Sequence, residues 1–164
     1  MEHNKVLETI VDTIEWIITA LLIAIFAITV LLVILRYVFN SSILGASEVV
    51  SFMFIYTTAL GAAAAIPKNR HIRISYFIDH LPPALHAAVE FLVFLCIAGI
   101  NAVMMIYSLG WIRTVGRDVS QSLEIPLGIV KASVPIGCTL AVIFALWAAI
   151  GVLRDAFGKE GRRA

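Results

Sequence analysis

The sequence predicts an all-α integral membrane protein with four transmembrane helices and a short interfacial helix between the second and the third. Two observations carry this. Of 164 residues, 61% are hydrophobic and 14% charged, against roughly 45–50% and 25% in soluble domains, so too little polar surface exists to solvate a globule. The charge is also segregated: windows 16–35, 49–66, 91–112 and 132–153 contain no Asp, Glu, Lys or Arg, although together they make up half the chain. At about 1.5 Å per residue such windows cross about 30 Å of hydrocarbon. Peptide groups there must pair within their own segment, which makes each window a helix. One membrane domain is expected over residues 1–164.

The first span follows an acidic head, Glu2, Glu8, Asp12 and Glu15 against the single Lys5. It lacks the basic n-region of an export signal and exceeds the usual h-region of about 7–15 residues, so an uncleaved span is expected. Arg36 closes it. The connection to Glu48 is polar and turn-rich (Asn40, Ser41, Ser42, Gly45), and Ser47 is placed to N-cap the second span with Glu48 in its first turn. Arg36 and Glu48 suit the two ends of the helix macrodipole; a functional pair is the alternative.

The second span ends in a run of small residues, Gly61 to Ala65, and Pro67 stops it. Over 68–81 the residues Ile74, Phe77, Ile78 and Leu81 follow helical spacing while Arg70, Arg73 and His80 stay off that stripe. This predicts a helix lying in the interface with its cations toward lipid phosphates. The alternation Ile72, Ile74, Tyr76, Ile78 also permits a strand, but a lone strand has no partner there. Pro82 and Pro83 lead into the third span, whose mid-point holds the amide of Asn101. That amide either bonds to a neighbouring helix or lines a path for solute. The connection 113–131 is too apolar for a free loop, and Leu123, Ile125, Leu127, Ile129 and Val130 lie on the chain's own helix ends, on lipid or on a partner. Ala98 and Ala102, and Ala145 and Ala149 in the fourth span, let backbones approach closely and call for partner helices inside this chain or outside it.

Four spans put both termini on one side. That side carries Lys5, Lys68, Arg70, Arg73, Arg154, Lys159, Arg162 and Arg163; the other carries Arg36, Arg113, Arg117 and Lys131. The positive-inside bias therefore predicts that both termini are cytoplasmic.

Several functions are excluded on the same evidence. A net charge of +1 with no basic face argues against nucleic acid. Catalytic or transport sites inside a membrane announce themselves by ionisable residues, and the four spans have none. His3, His71, His80 and His86 fall in the head or inner connection, which leaves no axial pair for haem. Cys96 and Cys138 lie in apolar runs and form no Cys-x-x-Cys pair. No catalytic residue, metal or cofactor is expected.

The chain resembles the small membrane subunit, or Q subunit, of tripartite ATP-independent periplasmic (TRAP) transporters. The likeness covers nearly the whole chain: Arg36-Tyr37-Val38-Phe39 closing the first span, Ala46-Ser47-Glu48-Val49 entering the second, then Gly61, His71-Ile72-Arg73 and Leu81-Pro82. Ser122-Leu123-Glu124-Ile125-Pro126 and Pro135-Ile136-Gly137 complete it. The chain departs from the family at Val49, where a second acid is usual, and at Ser75, where Asp is common. The resemblance implies a non-catalytic subunit bracing a large M-type permease subunit that carries the sodium and substrate sites. A periplasmic binding protein would deliver an organic acid. On this reading Arg36, Glu48, Gly61, His71, Arg73, Asn101 and Pro126 are candidate interface residues, and the small-residue faces dock on the large subunit. The rival from another class is a self-contained homo-oligomeric exporter, which would want a carboxylate in the first span that 16–35 does not supply.

Overall fold

The structure is a computed structural model that describes residues 2–67 and 83–160. The segment expected as an interfacial helix, 68–81, lies outside the described residues, and His71 and Arg73 lie there with it. The described residues form α1 (Glu2–Val38), α2 (Ala46–Ala65), α3 (Pro83–Val115), the short α4 (Leu127–Lys131) and α5 (Ser133–Glu160). Among the described residues four stretches are long and apolar enough to cross a membrane, α4 and α5 together forming the fourth. The helices overrun the charge-free windows because i to i−4 hydrogen bonding does not stop where hydrocarbon stops. His86 accordingly stands inside α3 rather than in a connection, its Nδ1 3.8 Å from Glu90 Oε2 one turn on.

Local chemistry sets the ends. Asn40, in the left-handed region at φ 48°, terminates α1, and the Ser41 N–H returns to the Leu35 carbonyl at 3.0 Å. Pro83 opens α3 at its first position, where the missing N–H costs nothing. Pro135 has no N–H to offer the Lys131 carbonyl and its ring crowds that group, so the fourth span is interrupted at Ala132 between α4 and α5. The expected cap at Ser47 is corrected: α2 starts two residues earlier, at Ala46, and its N-cap is Gly45 at φ 81°. The Gly45 carbonyl accepts from the N–H groups of Glu48 and Val49 at 3.0 and 3.1 Å.

The helices form an open row. α1 packs on α2, α2 on α5, and α5 on α3, while among the described residues the other long-helix pairs scarcely touch. The edge helices show it in their burial. Along α1 the covered large residues run Val11, Ile14, Ile18, Leu21, Ile25 and Ile28, alternately three and four apart, the single narrow seam of a helix with one neighbour. α3 repeats this with Phe94, Ala98, Asn101, Met105 and Ser108. The opposite sides carry Trp16, Ile23, Phe26 and Tyr37 on α1 and Ile100 and Tyr107 on α3, all exposed.

Where the seams meet, the core joins Val11 and Ile14 to Ala63 and Ala64 of α2, Phe94 and Ala98 of α3, and Ala141, Phe144, Ala145 and Ala149 of α5. Since lipid is as apolar as these side chains, close packing holds such seams together. The small residues are therefore consumed within the chain: Ala63, Ala64, Ala98, Ala145 and Ala149 are buried, and these alanines are not free to dock a partner. Closest approach comes at Gly137, where a Cβ would stand 3.0 Å from both the Cβ and the carbonyl oxygen of Ala59 on α2.

Candidate functional site

Both connections at the end of the row away from the termini fold into one knot. Residues 116–126 double back on themselves: the Ser120 N–H donates to the Ile125 carbonyl at 2.9 Å, and the Leu127 N–H to the Asp118 carbonyl at 2.7 Å, with Val119 and Pro126 bridged antiparallel. Glu124 takes φ 53° at the tip. At the base Gly116 and Gly128 touch backbone to backbone, the Gly128 N–H reaching the Gly116 carbonyl at 3.0 Å. A Cβ on Gly128 would stand 2.8 Å from that oxygen.

Glu48 joins this loop to α2. Its carboxylate accepts the Ser122 N–H at 3.1 Å through Oε1 and the Leu123 N–H at 3.3 Å through Oε2. Both oxygens thus hold backbone, and hydrogen bonds to an ionised acceptor are the stronger kind. The buried Ser120 side chain turns toward the same carboxylate without closing a bond of ordinary geometry. Beside it the Leu123 side chain caps Gly45 so closely that a Cβ there would lie 2.7 Å from Leu123 Cδ2. Positive φ and lack of space thus both require glycine at 45.

Further ties fix the loop to the helices. About two turns along α2 from Glu48, the Tyr56 hydroxyl donates to the Ile129 carbonyl at 2.6 Å, so the apolar stretch 122–129 lies along α2. Of the apolar residues in 113–131, Val130 is buried and Leu123 packs on the chain itself, whereas Ile129 is exposed. Lys131 closes the end of α3, its Nζ 3.2 Å from the Val115 carbonyl and 4.8 Å from the centre of the Trp111 ring. A cation is well placed at a helix C-terminus and over an aromatic face.

The sequence-predicted residues divide accordingly. Glu48 and Pro126 meet in the knot, Pro126 as the N-cap of α4. Arg36 is exposed in the last turn of α1 and makes no ion pair among the described residues, so it forms no pair with Glu48. Gly61 lies on the α1–α2 seam, where its nearest neighbour for a Cβ would be Ile18 Cδ1 at 3.9 Å. Asn101 sits mid-seam on α3 and its Nδ2 donates to the Ile97 carbonyl of its own helix at 2.8 Å. Tyr56, Gly116 and Gly128 were not singled out by the sequence. A tyrosine in mid-span and a glycine near each base of an apolar connection were the available signals. Among the described residues no group of His, Cys, Asp and Glu is disposed to hold a metal.

Residues 25–155 match the family described as tripartite ATP-independent periplasmic transporters, DctQ component. The chain belongs to that family. Relatives are consistent with it. The sialic acid TRAP transporter small permease protein SiaQ of Vibrio cholerae is 34% identical over 79 residues, 48% of this chain and 46% of its own. A putative TRAP transporter small permease protein of Haemophilus influenzae is 37% identical over 60 residues, 37% of each chain. The sialic acid TRAP transporter permease protein SiaT of the same species is 32% identical over 87 residues, 51% of this chain but 14% of its own. The aligned parts span less than half the length of each relative. The chain is thus a membrane-spanning helical protein of the TRAP small permease family.

Proposed function

We propose that this chain is the small, non-catalytic subunit of a TRAP transporter, bracing a large M-type permease subunit during sodium-coupled uptake of an organic acid delivered by a periplasmic binding protein. The open row of helices carries this reading. Among the described residues each edge helix packs on one long neighbour, so the row encloses no interior there in which a solute could be held, and its charge-free windows supply no carboxylate for a coupling ion. A single layer with two broad faces is suited to lying against a larger body. In SiaT the similar segment is a small part of a permease chain several times longer, which supports a large membrane partner. Sialic acid, named for two relatives, is one candidate among the organic acids. Both termini are assigned to the cytoplasm and the knot to the periplasmic rim, on the distribution of Lys and Arg.

The test is to tag the chain in its native host, extract it in mild detergent and identify by mass spectrometry what stays bound. A much larger polytopic membrane protein at roughly equal amount is expected. Recovery of this chain alone as an oligomer would overturn the scaffold reading in favour of the exporter. A reporter fused after Ala164 that is active only outside the cytoplasm would overturn the topology.

A further inference from the structure

We propose that Glu48 is a positioning residue for uptake, acting through the backbone of residues 120–126 to hold the periplasmic rim in the shape the binding protein meets. The inference rests on the small-permease reading above and adds a role for one side chain to it.

The geometry gives the reason. The two carboxylate oxygens are occupied by the N–H groups of Ser122 and Leu123, and no ion pair joins Glu48 to Arg36 among the described residues. What Glu48 grips is therefore main chain, 74 and 75 residues away in sequence. The remaining fastenings lie toward the base of the loop: Tyr56 on Ile129, Gly116 on Gly128, and Lys131 on Val115. Beyond that base, Glu48 and the Leu123–Gly45 contact are what attach the tip to α2. The tip carries exposed Asp118, Val119, Gln121, Glu124 and Pro126, a mixed polar and apolar rim outside the charge-free windows.

Glutamine is not a neutral replacement here. Its amide has one acceptor oxygen and an NH2 group, so in Glu48→Gln a donor faces one of the two N–H groups. Losing one charge-assisted hydrogen bond shifts the latched-to-free ratio of the loop by about tenfold. A partner that binds only the latched form then binds more weakly in proportion to the latched fraction. The half-saturating concentration of loaded binding protein should rise in inverse proportion to the latched fraction, by at most about tenfold, while the maximal rate stays unchanged. A merely structural contact would instead lower the amount of complex and with it the maximal rate.

The experiment uses the full chain in its complex with the large permease. A nitroxide is attached through Gln121→Cys in a Cys96→Ser, Cys138→Ala background, and its spectrum is read alongside uptake at varied binding-protein concentration. Glu48→Gln should mobilise the label and raise the half-saturating concentration. Ser122→Pro, which deletes one accepted N–H from the opposite side, should do the same, with no further change in the double variant. Glu124→Gln removes an equal charge from the tip and should leave the spectrum unaltered. An immobile label in Glu48→Gln overturns the latch. A mobile label with unchanged half-saturation overturns the positioning role. If the wild-type complex contains no large permease or transports no organic acid, the small-permease reading fails and the positioning role with it, while the spectrum still decides the latch.

Discussion

Gly137 is where the row should be most sensitive to added volume. A Cβ at that position would stand 3.0 Å from the Ala59 Cβ and 3.0 Å from its carbonyl oxygen, whereas carbon atoms pack best at about 3.5–4.0 Å. Gly137→Ala therefore requires α2 and α5 to separate locally by about half an ångström. A gap of that size forfeits about a quarter of each contact, and contacts are worth about 0.1–0.2 kcal/mol apiece. Spread over the Ala59, Ala63, Ala141 and Ala145 surfaces, the loss comes to about 1 kcal/mol. It is offset by a gain of about 0.8–1.0 kcal/mol from replacing glycine inside a helix. Gly137→Ala should thus lie within about 1 kcal/mol of wild type. Gly137→Leu, with three more carbons and no room for them, should cost about 2–3 kcal/mol, at the upper end of the cost of overpacking. The assay is reversible unfolding of the purified chain in mixed micelles of increasing denaturing detergent. Gly110→Leu serves as the control, because nothing lies within 4 Å of a Cβ there. If Gly137→Leu unfolds at the wild-type detergent fraction, or no earlier than Gly110→Leu does, the close seam between α2 and α5 is wrong.

Three further outcomes follow from the same geometry. Gly45→Ala must hold a left-handed conformation at a cost of about 1–2 kcal/mol and also displace Leu123, so hydrogen exchange of the Ser122 and Leu123 amides should accelerate; unchanged exchange would contradict the packing at φ 81°. Tyr56→Phe loses the 2.6 Å bond to the Ile129 carbonyl, about 1 kcal/mol, and protease nicking of the 116–131 connection should rise measurably while the α1–α2 seam is untouched. Asn101→Leu removes a bond made only to its own helix and should leave stability in detergent within about 1 kcal/mol of wild type; loss of uptake by an assembled complex carrying it would revive the solute-path reading.

The reach of the sequence can be seen residue by residue. Glu48 and the Ser122 to Pro126 run were both visible as separate features. Their meeting was not, because it depends on a return of the chain across 74 residues. Ser47 had the right side chain for a cap, but the cap is Gly45, two residues earlier, where Leu123 leaves space for nothing larger than glycine. The seam on α1 was hidden for a different reason. With apolar residues on every side, no periodicity in hydrophobicity marks which face meets protein and which meets lipid.

What the sequence determined by itself is the set of spans, their helical state and the family. In hydrocarbon each segment must satisfy its own peptide groups, so composition along the chain decides secondary structure without reference to the rest of the fold. What only the tertiary structure decided is the order α1, α2, α5, α3 across the row, the use of the alanines within it, and the knot that engages Glu48. Those depend on close packing between helices and on pairings between distant residues, and close packing is set by shape, which hydropathy does not record.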